Sequence, residues 1–285
     1  MALNSEWFTE IDHHNGSAFS LKIKEKLLDE HSPFQHIEVY ATEKFGNLMV
    51  IDGYIMLSDR DNFLYHEMLT HPVLFTHPQP RHVLIIGGGD CGTLREVLRH
   101  PGVETATQVE IDEAVTRAAE RFFPTLCEAN QDPRARLRFE DGIAWVKNAE
   151  AGAYDVIIVD STDPVGPAVG LFSQSFYRDC LRSLGTQGLL AQQSESPLFH
   201  MDKIIHPMHD EMRAAGFRNI RSLPFPQCVY PSGWWSVTLA GRLGEVSRFR
   251  EGDASSKTFP TQYYNADIHR GALAQPEFMR RALEF

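Results

Sequence analysis

VLIIGGGDCGTLRE, running from Val83 to Glu96, is the stretch on which the fold turns. Four β-prone apolar residues, Val83 to Ile86, open it. A run that short and continuous reads as a strand buried on both faces. Gly87, Gly88 and Gly89 follow, where the chain must turn sharply with no Cβ in the way. Thr93, Leu94, Glu96, Val97 and Leu98 then begin a helix-compatible segment. Strand, glycine turn and helix form the entry to a nucleotide-binding βαβ unit, with ligand at the helix N-terminus.

Asp90 sits inside this turn. Gly87, Gly89 and Gly92 satisfy G-x-G-x-x-G, which on its own suggests a dinucleotide fold. A pyrophosphate or a ligand carboxylate would require bare N–H groups there, and an aspartate would repel either anion. The turn therefore reads as built for a nucleoside ligand that carries positive charge.

Upstream, the first sixty or so residues read as β-structure. Phe19, Leu21 and Ile23 alternate with polar residues, as do Ile37, Val39 and Ala41. Asn47 to Ile51 and Tyr54 to Leu57 flank Asp52-Gly53, a tight hairpin turn. At Asp61 the period changes to that of a helix, which Pro72 is expected to end or bend. Downstream, strands and helices alternate: strands at Thr105 to Ile111, Arg136 to Phe139, Tyr154 to Val159 and Leu189 to Gln192; helices at Glu113 to Phe122, after a Ser173 cap, and at Ile204 to Ala215. Phe217 to Ser222 and Ser236 to Ala240 are further strands. This pattern predicts an α/β fold with a mostly parallel sheet covered on both faces. A small N-terminal antiparallel β-domain, 1–62, would precede a catalytic domain, 63–285. The tail beyond Gly241 is polar and carries no readable period.

Ligands of open α/β sheets sit beyond the carboxyl ends of the strands. Asp90 follows the first of these strands, Glu110 ends the second, Asp141 and Gly142 follow the third, and Asp160 and Asp163 follow the fourth. Glu110 stands about twenty residues past the glycine turn, where a carboxylate grips ribose hydroxyls. Asp141 before Gly142 is either a turn residue or a contact to an adenine amino group. Asp160-Ser161-Thr162-Asp163-Pro164 is a capped turn or a divalent-metal pair, and nothing in its spacing demands a metal. Together these acids would repel one another unless cations lay between them. The ligand should be polycationic or hold a cationic group near each acid.

Composition narrows the class. Of 285 residues, 42% are hydrophobic and 23% charged, the balance of an ordinary globular protein. The net charge of −11 argues against nucleic-acid binding. No apolar run approaches the ~20 residues of a membrane helix, and the N-terminus has no signal-peptide pattern. Cys91, Cys127, Cys180 and Cys228 are too scattered to suggest a zinc site or a disulfide framework. A reducing cytoplasm is the expected location. His66-Glu67 and His71 resemble a zinc-peptidase helix but are spaced one residue too far apart to share a metal.

The chain resembles the bacterial spermidine synthases, the polyamine aminopropyltransferase family. The resemblance is carried by SPFQHIEVYATEKFGNLMVIDG (Ser32 to Gly53), YHEMLTHP (Tyr65 to Pro72), the GGGD turn, VEID, EDG, DSTDPVGPA (Asp160 to Ala168), VYPSGWW (Val229 to Trp235) and YYNADIH (Tyr263 to His269). It spans nearly the whole sequence in order. Cys91 departs from the pattern, since the family usually has glycine there.

The resemblance implies a Rossmann-like, methyltransferase-type domain behind the N-terminal β-domain, in a homodimer or homotetramer. It implies transfer of an aminopropyl group from decarboxylated S-adenosylmethionine to putrescine, giving spermidine and methylthioadenosine. The donor is a co-substrate, and no cofactor or metal is expected. By the same resemblance, Gln35, Asp90, Glu110, Asp141 and Gly142 would hold the donor, with Pro167 against its thioadenosine. Tyr65, His66, Asp163 and Tyr230 would line the polyamine channel, and Asp160 would accept the proton. Desolvation and neighbouring acids such as Asp163 should raise the Asp160 pKa. The Pro- and Gly-rich segment from Ser161 to Phe172 is expected to act as a lid. The rivals are a methyltransferase using intact S-adenosylmethionine and a non-catalytic polyamine-binding protein. Asp90 argues against a dehydrogenase.

Overall fold

The computed structural model describes residues 4–164, 166–243 and 245–283, with the side chain of residue 167 also outside the description. The first five strands are β1 (Trp7–Asp12), β2 (Ser17–His31), β3 (His36–Thr42), β4 (Asn47–Ile51) and β5 (Tyr54–Ser58). They form an antiparallel sheet in sequence order. Asp52 and Gly53 both adopt positive φ, 51° and 87°, as a tight two-residue hairpin requires. Alternation divides the sheet into two faces. Ile37, Val39, Met49 and Ile51 pack with Val115, Ala119 and Phe123. Tyr40, Leu48 and Val50 pack with Leu21, Ile55 and Val229 on the other face. The strand beginning at Trp7 was not legible in the sequence.

The α/β half starts with α1 (Asn62–Thr76), which does not stop at Pro72. Every residue from Tyr65 to Thr76 is buried. Packing on all sides offsets the ~3 kcal/mol that an interior proline costs a helix. β6 (His82–Gly87), α2 (Gly92–Leu98), β7 (Thr105–Glu110), α3 (Glu113–Phe122), β8 (Ala135–Phe139), α4 (Gly142–Asn148) and β9 (Tyr154–Asp160) follow. Then come α5 (Gln174–Ser183), β10 (Leu184–Gln193), α6 (His206–Ala215), β11 (Asn219–Pro226) and β12 (Trp234–Gly241). The tail forms α7 (Glu251–Ser255), α8 (Ala266–Leu273) and α9 (Glu277–Leu283).

The second sheet has seven strands in the order β11-β12-β10-β9-β6-β7-β8. β8, β7, β6, β9 and β10 pair in parallel, whereas β12 and β11 are antiparallel additions. Val83 and Ile85 of β6 face one core and Leu84 and Ile86 the other. That is why this strand reads as an unbroken apolar run. From β6 the chain winds outward to β7 and β8, then returns to place β9 on the other side of β6. A crevice opens where such winding reverses. Gly87 and Asp160 are paired across it.

The tail is anchored by a residue whose role the sequence did not reveal. Glu67 on α1 accepts hydrogen bonds from the backbone N–H groups of Gln262, Tyr263 and Tyr264 at 2.8, 2.8 and 2.7 Å. Tyr264 is thereby buried against the first core.

Candidate active site

A cavity of ≈ 300 Å³ lies at the crevice, between the carboxyl ends of β6, β7, β8 and β9 and the face of the small sheet. Its floor is the glycine turn. Gly87 has φ +80°, and a Cβ there would stand 2.1 Å from the Asp160 carbonyl oxygen. At Gly92 a Cβ would stand 2.2 Å from the His66 ring. Cys91, where glycine would be easier, is held at φ +68° and fully buried.

Asp90 points from this turn into the cavity. Its Oδ1 accepts from the Gly92 N–H at 2.7 Å and its Oδ2 contacts His66 Nε2 at 3.2 Å. Burial pushes the Asp90 carboxyl up. The His66 ring, the Gly92 N–H and the Arg95 guanidinium outweigh burial and hold it below its usual value. Burial likewise opposes charge on His66, yet Asp90 raises its pKa overall. The buried His66 ring thus backs the half-buried Asp90 carboxylate, and each favours the charged form of the other. His66 is 1% exposed and is not among the residues lining the cavity. It reaches the site through Asp90.

Asp160, at the end of β9, is 8% exposed. Tyr65 Oη donates to its Oδ1 at 2.7 Å, and Thr93 Oγ1 donates to its Oδ2 at 2.6 Å. Burial first, and then the charge of Asp90, lift its pKa to about 6. The like charge acting on it is Asp90, not the neighbour Asp163 expected from the sequence. Asp163 is instead turned toward Glu195. Burial first, then the charge of Glu195 and the hydrogen bond to it, push Asp163 well above the carboxylate range. Burial is also the main cause that raises the Glu195 carboxyl.

Glu110 ends β7 and lines the cavity, with its Oε1 accepting from the Asp112 N–H at 2.8 Å. Burial is the main cause that raises its pKa to about 7. Asp141 is the cap of α4, taking Ile143 N–H at 2.8 Å and Ala144 N–H at 3.3 Å through Oδ1. It also lines the cavity beside Gly142. Gln35 lines the opposite wall, where its Nε2 donates to Asp112 Oδ2 at 2.8 Å. Gly166, Ala168 and Leu171, from the segment after Asp160, also line the cavity. The Pro167 side chain lies outside the described residues.

A smaller chamber of ≈ 50 Å³ adjoins the cavity and shares Tyr65, Asp163 and Tyr230 with it. The Tyr230 ring meets Tyr65 edge-on at 5.9 Å and Trp235 at 4.7 Å. At the chamber wall lie Glu10, Gln193 and Trp235. Glu10 is 7% exposed, and its Oε2 accepts from the Ile55 N–H at 2.7 Å. Burial raises its pKa to about 7 against that bond. Sequence reasoning missed Glu10, Gln193, Glu195 and Thr93. Glu10 lies in the unread first strand, and the other three have no motif of their own. Thr9 and Asp12 share the strand with Glu10, so the sequence offers no signal that this acid is the buried one.

The arrangement is a nucleoside-sized cavity with acids at its rim, joined past Tyr65, Asp163 and Tyr230 to an aromatic, acidic side chamber. Two family models match the chain up to residue 248. The spermine/spermidine synthase domain matches residues 62–248, and the spermidine synthase tetramerisation domain matches residues 6–59. The chain belongs to the spermidine synthase family. A polyamine aminopropyltransferase of Thioalkalivibrio sulfidiphilus is 63% identical over 283 residues, 99% of each chain. One from Methylococcus capsulatus is 66% identical over 278 residues, 98% of this chain and 97% of that one. Among solved structures, a spermidine synthase in complex with the transition-state analogue AdoDATO superposes with a TM-score of 0.94. It is 32% identical, covering 99% of this chain and 96% of that one. The spermidine synthase of Thermotoga maritima gives 0.91 at 32% identity, covering 97% and 94%. The chain is therefore an aminopropyltransferase with a Rossmann-like catalytic sheet. No helix among the described residues is long and apolar enough to cross a membrane.

Proposed function

We propose that this aminopropyltransferase moves the aminopropyl group of decarboxylated S-adenosylmethionine to putrescine, giving spermidine and methylthioadenosine. The observation that carries the reading is Asp90, a carboxylate at the cavity end of the glycine turn. A donor that has lost its carboxylate keeps an ammonium, which Asp90 attracts. Intact S-adenosylmethionine would bring a second carboxylate against it. Glu110 takes the ribose hydroxyls, Asp141 and Gly142 face the base, and Gln35 closes the wall. Pro167 belongs with the thioadenosine. A relative in complex with a transition-state analogue supports the same kind of site.

Putrescine lies along Tyr65 and Tyr230, with one nitrogen at Asp160. Its far ammonium lies in the side chamber with Glu10 and Asp163. His66 acts behind Asp90 by orienting it. In the reaction, the amine lone pair attacks the methylene beside the sulfonium. The carbon–sulfur bond breaks and its electron pair returns to sulfur, which leaves neutral. That leaving group needs no metal or cofactor.

An amine of pKa ~10 is protonated at pH 7, and freeing its lone pair costs ~4 kcal/mol. Asp160, held near 6 by burial and Asp90, is the base for that proton. The surrounding acids align two cationic substrates and offset their mutual repulsion.

The match to a tetramerisation domain over 6–59 supports a homodimer or homotetramer. The four cysteines are free thiols, in keeping with a cytoplasmic enzyme. The deciding experiment is mass spectrometry of products after incubation with intact or decarboxylated donor and a panel of diamines. Spermidine with methylthioadenosine supports the proposal. A methylated amine from the intact donor, or binding without turnover, overturns it.

A further inference from the structure

The hairpin joining β2 to β3 carries four chemistry-bearing residues on one face. Asp29 and His31 are two apart on β2, so they share a face. Their cross-strand partners are Glu38 and His36. The His31 and His36 rings stack with centroids 4.0 Å apart. His36 Nε2 lies 2.8 Å from Asp29 Oδ1. One donor atom from each of Asp29, His31 and His36 falls within 4.8 Å of the others. Asp29 Oδ2 is separately engaged, with Lys26 Nζ at 2.6 Å, and Lys26 also reaches Glu38 Oε1 at 2.6 Å.

We propose that Asp29, His31 and His36 form a binding site for a divalent transition cation of the Zn²⁺, Co²⁺ or Ni²⁺ type. Two neutral imidazoles and a carboxylate are the ligand set such ions favour. In a tetrahedral site with bonds of about 2.1 Å, neighbouring donors stand about 3.4 Å apart. The 2.8 Å Asp29–His36 contact would open by about 0.6 Å, and donors now up to 4.8 Å apart would close toward that spacing by side-chain rotation at this exposed site. Asp29 can bind through Oδ1 while Oδ2 keeps Lys26, so the resident ammonium need not leave. Asp29 and His31 are exposed in the single chain, which leaves the remaining coordination position for water or for a group from another subunit.

The location links the ion to the enzyme's own cavity. His31 and His36 are the last paired residues before the loop Ser32 to Gln35. That loop places Phe34 and Gln35 on the cavity wall. It is tied to the catalytic half where Ser32 Oγ and Gln35 Nε2 reach Asp112 Oδ2 at 2.6 and 2.8 Å. An ion across the base of the hairpin would fix the strands that present Gln35.

The test uses tag-free, chelator-treated full-length protein. Co²⁺ is followed by its visible absorption and Zn²⁺ by calorimetry, with melting recorded with and without Zn²⁺. The expected result is one saturable site per chain and a melting temperature raised by Zn²⁺. His31→Asn and His36→Asn should each weaken Zn²⁺ by about tenfold or more and abolish the rise. Asp29→Asn should weaken it less. Metal-free His31→Asn and Asp29→Asn should keep wild-type aminopropyl transfer, showing that the fold survives. Absence of a saturable site in the wild type overturns the proposal. So does a Zn²⁺ affinity that is the same in the wild type and His31→Asn, since the ion would then be held by other histidines.

Discussion

Gly87 lies so close to Asp160 that a Cβ on the glycine would stand 2.1 Å from the aspartate's carbonyl oxygen. The two residues are register partners at the ends of β6 and β9, and the neighbouring Gly88 N–H donates to that same carbonyl at 2.8 Å. The turn that receives the donor and the strand end that carries Asp160 are thus one rigid unit. Gly87→Ala should break it. A positive φ costs a residue with a Cβ ~1–2 kcal/mol, and overpacking adds ~1–3 kcal/mol. Denaturant unfolding should show a loss of about 2–5 kcal/mol together with lost donor binding. A wild-type unfolding midpoint would contradict this packing.

Glu67 should matter to stability without touching substrate. Its two oxygens accept from three backbone N–H groups of the tail, and it is 3% exposed. In Glu67→Gln one oxygen becomes an NH₂ facing an N–H donor. Bonds to a charged acceptor contribute ~1.5–3 kcal/mol each. The variant should lose about 2–4 kcal/mol, and hydrogen exchange should quicken first at 262–264. Uniform protection with unchanged melting would show that the tail is held by packing alone.

These two residues mark what could and could not be read in advance. Val83 to Gly89 was legible because local chemistry dictates its structure: β-prone residues buried on both sides, then glycines where a Cβ cannot fit. The acids at the strand ends were legible because topology sends the ends of parallel strands to one rim. Glu67 was not, because its partners lie about two hundred residues away and are backbone groups. Pro72 does not end α1 for a related reason, since burial of the helix on every side outweighs its local preference. Glu10 and Glu195 stayed hidden because a buried acid looks like a surface acid until its neighbours are known. The family resemblance puts His66 in the polyamine channel, whereas its ring lies under the glycine turn against Asp90.

Asp90→Asn should weaken the donor far more than the acceptor. Loss of one ionic hydrogen bond of ~1.5–3 kcal/mol corresponds to about tenfold or more in donor affinity. His66 provides an independent readout. Asp90 is what lifts its pKa above the usual value, while burial lowers it. Without Asp90 the imidazole should titrate below its ordinary range, visible in its ring-proton NMR shifts. Unchanged donor affinity by calorimetry would remove Asp90 from the donor site.

Binding of a diamine should release protons. Glu10 is raised to about 7 and Asp160 to about 6, in each case chiefly by burial. Near pH 6.5 these carboxyls are therefore partly protonated in the free enzyme. An ammonium beside them favours the charged form, so their pKa values fall and protons leave. Calorimetry in two buffers of different ionisation enthalpy should show net release for putrescine. The effect should shrink above pH 8, where the acids are already ionised. Methylthioadenosine, which has no cationic group, is the control. Proton uptake with putrescine would mean that these acids do not face the ligand.

Asp160→Asn should fold, bind the donor and lose most of its turnover. The carboxamide nearly matches the carboxylate in shape. Tyr65 Oη and Thr93 Oγ1 now donate to separate oxygens of Asp160. In the variant one hydroxyl keeps an oxygen acceptor, and the other can rotate to accept from the new NH₂. What is lost is the proton acceptor, which typically costs ~10²–10⁴ in rate. The pH dependence separates this from a structural defect. In the wild type, Asp160 must be ionised to act, so the rate should fall as pH drops through about 6. That limb should be missing from the variant. Its residual rate should instead keep rising with pH, because more acceptor arrives already neutral, and the wild type should gain less over the same range. Initial rates at saturating donor across pH, for both proteins, decide the matter. A variant within a few-fold of wild type at neutral pH would rule out Asp160 as the base and shift suspicion to Asp163, which the same profile on Asp163→Asn would then test.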